Sequence, residues 1–103
     1  MWYLRRVVGR SMYPTLRNGQ TIVVFTSRNF EVGDVIVAIV DSREVVKRVI
    51  SKKDGKVFIV GDNEKESTDS RKHGWLIDTH VIGRVVFPAV STRRNYKRSR
   101  SRK

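Results

Sequence analysis

Two residues carry the chemistry this sequence offers. Ser11 lies in the turn-marked stretch Gly9-Arg10-Ser11-Met12-Tyr13-Pro14, and Lys47 in the apolar run Val45-Val46-Lys47-Arg48-Val49-Ile50. A serine hydroxyl is a weak nucleophile until a nearby base takes its proton, and lysine is that base only while its amine is neutral. In an extended strand, Val45, Lys47 and Val49 share one face and Val46, Arg48 and Ile50 the other. Lys47 thus sits between two valines, and desolvation there disfavours the ammonium, moving the group toward the range of a general base. Arg48 is expected to reach outward at an edge or to lie along its neighbours with its head in water. A lone lysine in a valine-rich strand more often keeps its head in solvent, so the pairing with Ser11 has to draw support from the rest of the chain.

The elements that must hold these residues read as strands rich in Val, Ile, Thr and Phe, over 3–8, 20–26, 34–40, 44–50, 57–60 and 81–87. Turn formers separate them at Asn18-Gly19, Gly33-Asp34, Asp54-Gly55 and Gly61-Asp62-Asn63. Asp54-Gly55 between two apolar strands predicts a hairpin. No stretch has a useful helical period. The fold class is therefore all-β, and because many short strands leave edges to protect, a coiled antiparallel sheet or partly closed β-barrel is expected.

The length of 103 residues suits one domain, read here as residues 1–92, followed by a basic tail over 93–103. That tail holds seven of the 22 Lys and Arg residues and no acid, and leaves +5 of the net +12 for the rest. With almost nothing to bury, it is expected to be disordered. It can serve solubility, adsorb to anionic lipid, or bind nucleic acid through phosphates, and composition does not separate these. With no cysteine, disulfides and thiolate chemistry are excluded. The longest purely apolar run, Val35–Val40, is far short of a membrane span, and no apolar stretch follows Arg5-Arg6 as a signal peptide would require.

Three further segments join Ser11 and Lys47. They are Gly33-Asp34-Val35-Ile36-Val37, Val46-Lys47-Arg48-Val49-Ile50, and Gly61-Asp62-Asn63 continuing to Ser67-Thr68-Asp69-Ser70-Arg71. In this order, after Ser11-Met12-Tyr13-Pro14-Thr15-Leu16, they resemble the motif boxes of the type I signal peptidases, a family of Ser/Lys endopeptidases. The likeness runs from about Gly9 to Gly83. It implies the signal peptidase catalytic core, a fold of the LexA-like superfamily, with Ser11 as nucleophile and Lys47 as base. Ser67 would hydrogen-bond the lysine amine and orient it without adding charge. Asp69 and Arg71 would pair to fix their loop, with Asp62 and Asn63 shaping its start. The backbone N–H of Ser11 would donate to the oxyanion. Gly9 stands where some members carry a serine that adds a hydroxyl to that site, and Arg10 where several carry an acid. Met12, Leu16 and Val46 would wall a shallow pocket for a small residue, and no metal or organic cofactor is required.

The resemblance implies cleavage of a signal or leader peptide from a precursor protein. Members usually carry a transmembrane anchor, and many insert a second β domain after the base box; here only 13 residues lie between Lys47 and Gly61. A short form without an anchor is expected, peripheral to a membrane or cytoplasmic. Trp2 and Tyr3, with Leu4, Arg5, Arg6 and the basic tail, could meet an anionic membrane, or Trp2–Leu4 could be an ordinary first strand. Two alternatives stand beside the peptidase. One is a self-cleaving repressor with the same dyad, which would need a DNA-binding domain and an Ala-Gly cleavage segment. The other is a noncatalytic basic barrel that binds nucleic acid. A Ser/His/Asp triad of Ser11 with His73 or His80 and Asp69 is disfavoured, since it leaves Lys47 and Ser67 without a role. The histidines also lack a third ligand for a metal site.

Overall fold

An apolar run with no polar face fits only where both sides of a strand are covered. In a computed structural model, which describes residues 1–63 and 75–92, that run is a strand at the middle of the molecule. The strands are β1 (Trp2–Arg6), β2 (Thr21–Phe25), β3 (Val35–Val40), β4 (Arg43–Lys53), β5 (Lys56–Val60), β6 (Leu76–Ile77) and β7 (Val81–Phe87). They form one antiparallel sheet in the order β1-β2-β7-β3-β4-β5-β6, curled into a half-barrel. The expected all-β fold with a coiled antiparallel sheet is the one observed.

β3 feeds both sides of the sheet. Val35 and Val37 join Val7, Met12, Leu16, Ile22, Val24 and Val85 in one core cluster. Ile36 and Ala38 join Phe30, Val49, Val57, Ile59 and Val81 in the other. Register shifts at Val23/Val24, Val37/Ala38 and Val49/Ser51 bend the strands and add twist, which helps the sheet to curl. An ion pair at 2.9 Å from Arg5 of β1 to Glu44 of β4 spans the opening, although β2, β7 and β3 lie between them in the sheet.

The Asp54-Gly55 hairpin forms as expected, with φ of 51° and 76°, the double positive turn that matches strand twist. A second such turn, at Asp41-Ser42 with φ of 51° and 64°, had no glycine to announce it. β4 runs on to Lys53, because β5 pairs with its second half while β3 pairs with its first. Neither the two-residue β6 nor the 3-10 turn Asp78–His80 has a local pattern long enough to read. Among the described residues no helix is long and apolar enough to cross a membrane.

Candidate active site

Ser11 lies in the long connection from β1 to β2, which is closed by three hydrogen bonds at its base. Val7 N–H donates to the Gln20 carbonyl at 2.8 Å, Gly19 N–H to the Val7 carbonyl at 2.7 Å, and Gly9 N–H to Asn18 Oδ1 at 2.8 Å. Inside it, Leu16 N–H donates to the Met12 carbonyl at 2.9 Å. Met12 and Leu16, 1 % and 0 % exposed, pin the loop into the core, each contributing about 1.5–3 kcal/mol by its burial. They therefore offer almost no surface to a substrate. Of the three residues expected to wall a pocket, only Val46 is half-buried, so the expectation for Met12 and Leu16 is corrected: both are loop anchors.

Gly9 has φ +89° and open space where a Cβ would point. The backbone, rather than crowding, thus selects glycine there, and a serine at this position would be strained.

Lys47 is half-buried on β4, opposite Ile36 of β3. The β4–β5 ladder reaches Arg48 opposite Val60; one residue further, the same register sets Lys47 opposite Gly61. Opposed residues of an antiparallel pair send their side chains to the same face. A Cβ on Gly61 would run into the Ser11 carbonyl oxygen and lie 3.1 Å from Ser11 Cβ. Ser11 thus fills the space that a side chain opposite Lys47 would otherwise take. Asn63 secures the same loop, its N–H donating to the Ser11 carbonyl at 2.8 Å and its side-chain amide to the Arg10 carbonyl at 3.0 Å.

Arg48 does not reach outward. Its side chain, 13 % exposed, grips the Asp62 carboxylate with two parallel bonds, Nε to Oδ1 at 2.9 Å and Nη2 to Oδ2 at 2.7 Å. Nη1 donates to the carbonyls of Gly33 at 2.8 Å and Val90 at 2.9 Å. Asp62 also accepts from the Thr15 hydroxyl at 2.5 Å, and its N–H lies 3.4 Å from Met12 Sδ. Burial alone would raise the Asp62 pKa. The Arg48 guanidinium and the Thr15 hydroxyl outweigh it and hold the carboxyl below its usual value. Asp62, expected to shape the start of a turn, is the counter-ion that ties β4 to the serine loop.

Asp34, 1 % exposed, accepts from the Ser91 hydroxyl at 2.6 Å and from Glu31 N–H at 2.9 Å. Sequence reading did not single out Arg48, Thr15 or Ser91 as parts of the site. Their partners come from distant segments, although Arg48 and Thr15, like Asp34, lay inside motif boxes. Ser67, Asp69, Arg71 and His73 fall outside the described residues. His80 lies with Nδ1 3.1 Å from the Ile39 carbonyl, bound to a strand end.

No curated protein matches the chain. A family model described as Peptidase S24-like matches residues 1–86, which include Ser11, Lys47 and the Arg48–Asp62 pair. The match supports the superfamily that signal peptidases share with self-cleaving repressors rather than the signal peptidases in particular, and by it the chain belongs to the Peptidase S24-like family.

Proposed function

We propose that this chain is a serine endopeptidase with a Ser11/Lys47 dyad that removes a signal or leader segment from a precursor after a small residue. The observation that carries the reading is the seating of Ser11 against Gly61, the residue that continues the β4–β5 register opposite Lys47. Membership of a peptidase family supports it. In this reading Ser11 Oγ attacks the scissile carbonyl while the neutral Lys47 amine takes its proton. The ammonium then returns that proton to the departing amine as the peptide bond breaks. Water, deprotonated by the same lysine, attacks the acyl-enzyme and releases the second product with Ser11 restored. The Ser11 N–H donates to the oxyanion. Ser67 orients the amine, and Asp69 and Arg71 brace its loop.

Cleavage of a peptide spanning a precursor junction tests the dyad. Ser11→Ala and Lys47→Ala should each abolish it, and wild-type turnover should climb with pH as the lysine loses its proton. Full activity in either variant refutes the assignment.

A second reading draws on the family match, because the S24-like family also includes Ser/Lys self-cleaving repressors. The same dyad would then cut its own chain, at a rate independent of protein concentration, whereas cleavage of a separate precursor rises with enzyme concentration.

For the precursor-cleaving peptidase we propose an anionic membrane as the partner surface. Trp2 and Leu4 share one face of β1 and are 64 % and 61 % exposed. Their cross-strand neighbours are Phe25 and Val23, and Val23 in turn pairs with Phe87, also 64 % exposed. Trp2 packs against Phe25 with ring centroids 4.9 Å apart and planes tilted by 56°. Tyr3 points the other way, half-buried against the core, under the Arg5 guanidinium. An amphipathic tryptophan among apolar side chains, on a chain of net charge +12, suits a headgroup layer of opposite sign. Two tryptophans allow a clean test with vesicles carrying brominated anionic lipid. Trp75→Phe protein, reporting through Trp2, should be quenched, and Trp2→Phe protein, reporting through Trp75, should not. Equal quenching of both, or of neither, rejects this face.

A further inference from the structure

The likeness to the family ends at residue 86, yet the residues that follow are wired into the candidate site. After β7, Val90 packs against the core cluster that holds Met12 and Leu16. The Val90 carbonyl accepts from Arg48 Nη1 at 2.9 Å. Ser91 donates its hydroxyl to the buried Asp34 carboxylate at 2.6 Å. Thr92 donates its N–H to the Gly33 carbonyl at 2.9 Å and its hydroxyl to the same oxygen at 3.2 Å. That oxygen also accepts from Arg48 Nη1 at 2.8 Å.

Arg48 is thereby held from two sides. A guanidinium has five N–H donors in a fixed plane. Two of them go to Asp62, which reaches the serine loop through Thr15 and Met12, and two go to the carbonyls of Gly33 and Val90. Because the plane is rigid, a shift at Val90 or Gly33 rotates the fork that Asp62 must match. Lys47 is the neighbouring residue of the same strand, with its side chain on the opposite face, so the strap reaches the site through the serine loop.

We propose that residues 89–92 are a strap that positions the serine loop of the peptidase, fastened by the Ser91–Asp34 clasp and transmitted through Arg48 and Asp62. Ser91 is a positioning residue, since it acts through these groups and has no contact with a substrate in this scheme. The inference rests on the dyad reading for its effect on turnover, and on the hydrogen-bond geometry alone for its effect on the loop.

The test uses the full chain with Ser91→Ala, Ser91→Thr and Ser11→Ala, read by peptide cleavage and by amide hydrogen exchange. Ser91 is exposed, so its replacement opens no cavity; it does remove one donor from the buried Asp34, and a thermal melt measures that cost. Ser91→Ala should lower kcat about tenfold, the size of a lost hydrogen bond to a charged group, with KM unchanged. Exchange over residues 10–16 should become faster. Ser91→Thr, which keeps the hydroxyl, should restore both. Wild-type kcat and exchange in Ser91→Ala, with Ser11→Ala inactive, overturn the strap and leave the dyad standing. Equal losses in the Ala and Thr variants overturn the clasp as well. If Ser11→Ala cleaves normally, the dyad falls, and the strap is then judged by exchange alone: faster exchange over 10–16 upholds it and unchanged exchange ends it.

Discussion

The two ion pairs that the structure describes have similar lengths and different surroundings. Arg48–Asp62, at 2.7 Å, keeps 13 % and 18 % of its side-chain surface; Arg5–Glu44, at 2.9 Å, keeps 44 % and 38 %. Both residues of β4 in these pairs, Glu44 and Arg48, lie on the same face of the strand. Further donors and acceptors of the inner pair are engaged by Thr15, Gly33 and Val90. The outer one stands in water, where salt screens it and holding two long side chains together costs entropy. Distance alone therefore says little about what an ion pair does; the groups that satisfy it and the water it loses decide.

The widest gap between the two should come from Asp62→Ala. It leaves the Arg48 guanidinium partly buried without its carboxylate and cuts the tie to Thr15. Breaking a fully buried pair costs about 3–5 kcal/mol; with some solvent access retained, about 2–3 kcal/mol is expected here. For a domain of this size that corresponds to a fall of roughly 10–20 °C in Tm, with loss of cleavage alongside it. A Tm within a few degrees of wild type would place the inner pair in the same class as the outer one.

Acid titration sharpens the comparison at a smaller scale. The folded pKa of Asp62 is depressed, so its contribution is fully present above the unfolded carboxyl value near 4. That contribution is lost as pH falls through the lower folded value. Wild-type stability should therefore decline below about pH 4, and Asp62→Asn should flatten that part of the profile. An unchanged slope in the variant would assign the acid sensitivity to other carboxylates. The smallest effect belongs to Glu44→Gln. It should leave Tm unaltered within error at physiological ionic strength, and a clear drop would show that the bridge from β1 to β4 helps to hold the curl.

Much of the fold could be read along the chain. The apolar run of β3, the Asp54-Gly55 turn and the alternation in β4 each rest on local geometry, and each appears as expected. The alternation correctly separated Val49, in one core cluster, from Val46, which packs against the other. It also put Lys47 and Arg48 on opposite faces. What alternation could not tell was which face was dry. Arg48 was expected in water because nothing within its own strand could satisfy a guanidinium; the acceptors are at Gly33, Asp62 and Val90, far away in sequence. The same reason explains Met12 and Leu16, whose types suit either a pocket wall or a core anchor. β6 was invisible because two residues carry no period.

The order of residue types by itself determined that the chain would form an antiparallel β domain with a serine in a turn and a lysine in a strand. Strand periodicity and turn chemistry act over a few residues. Tertiary structure alone decided that Gly61 makes room for Ser11, that Asp62 neutralises Arg48, and that Ser91 closes on Asp34. Each of these depends on segments brought together by the curl of the sheet, where steric fit and desolvation act between residues that the sequence holds far apart.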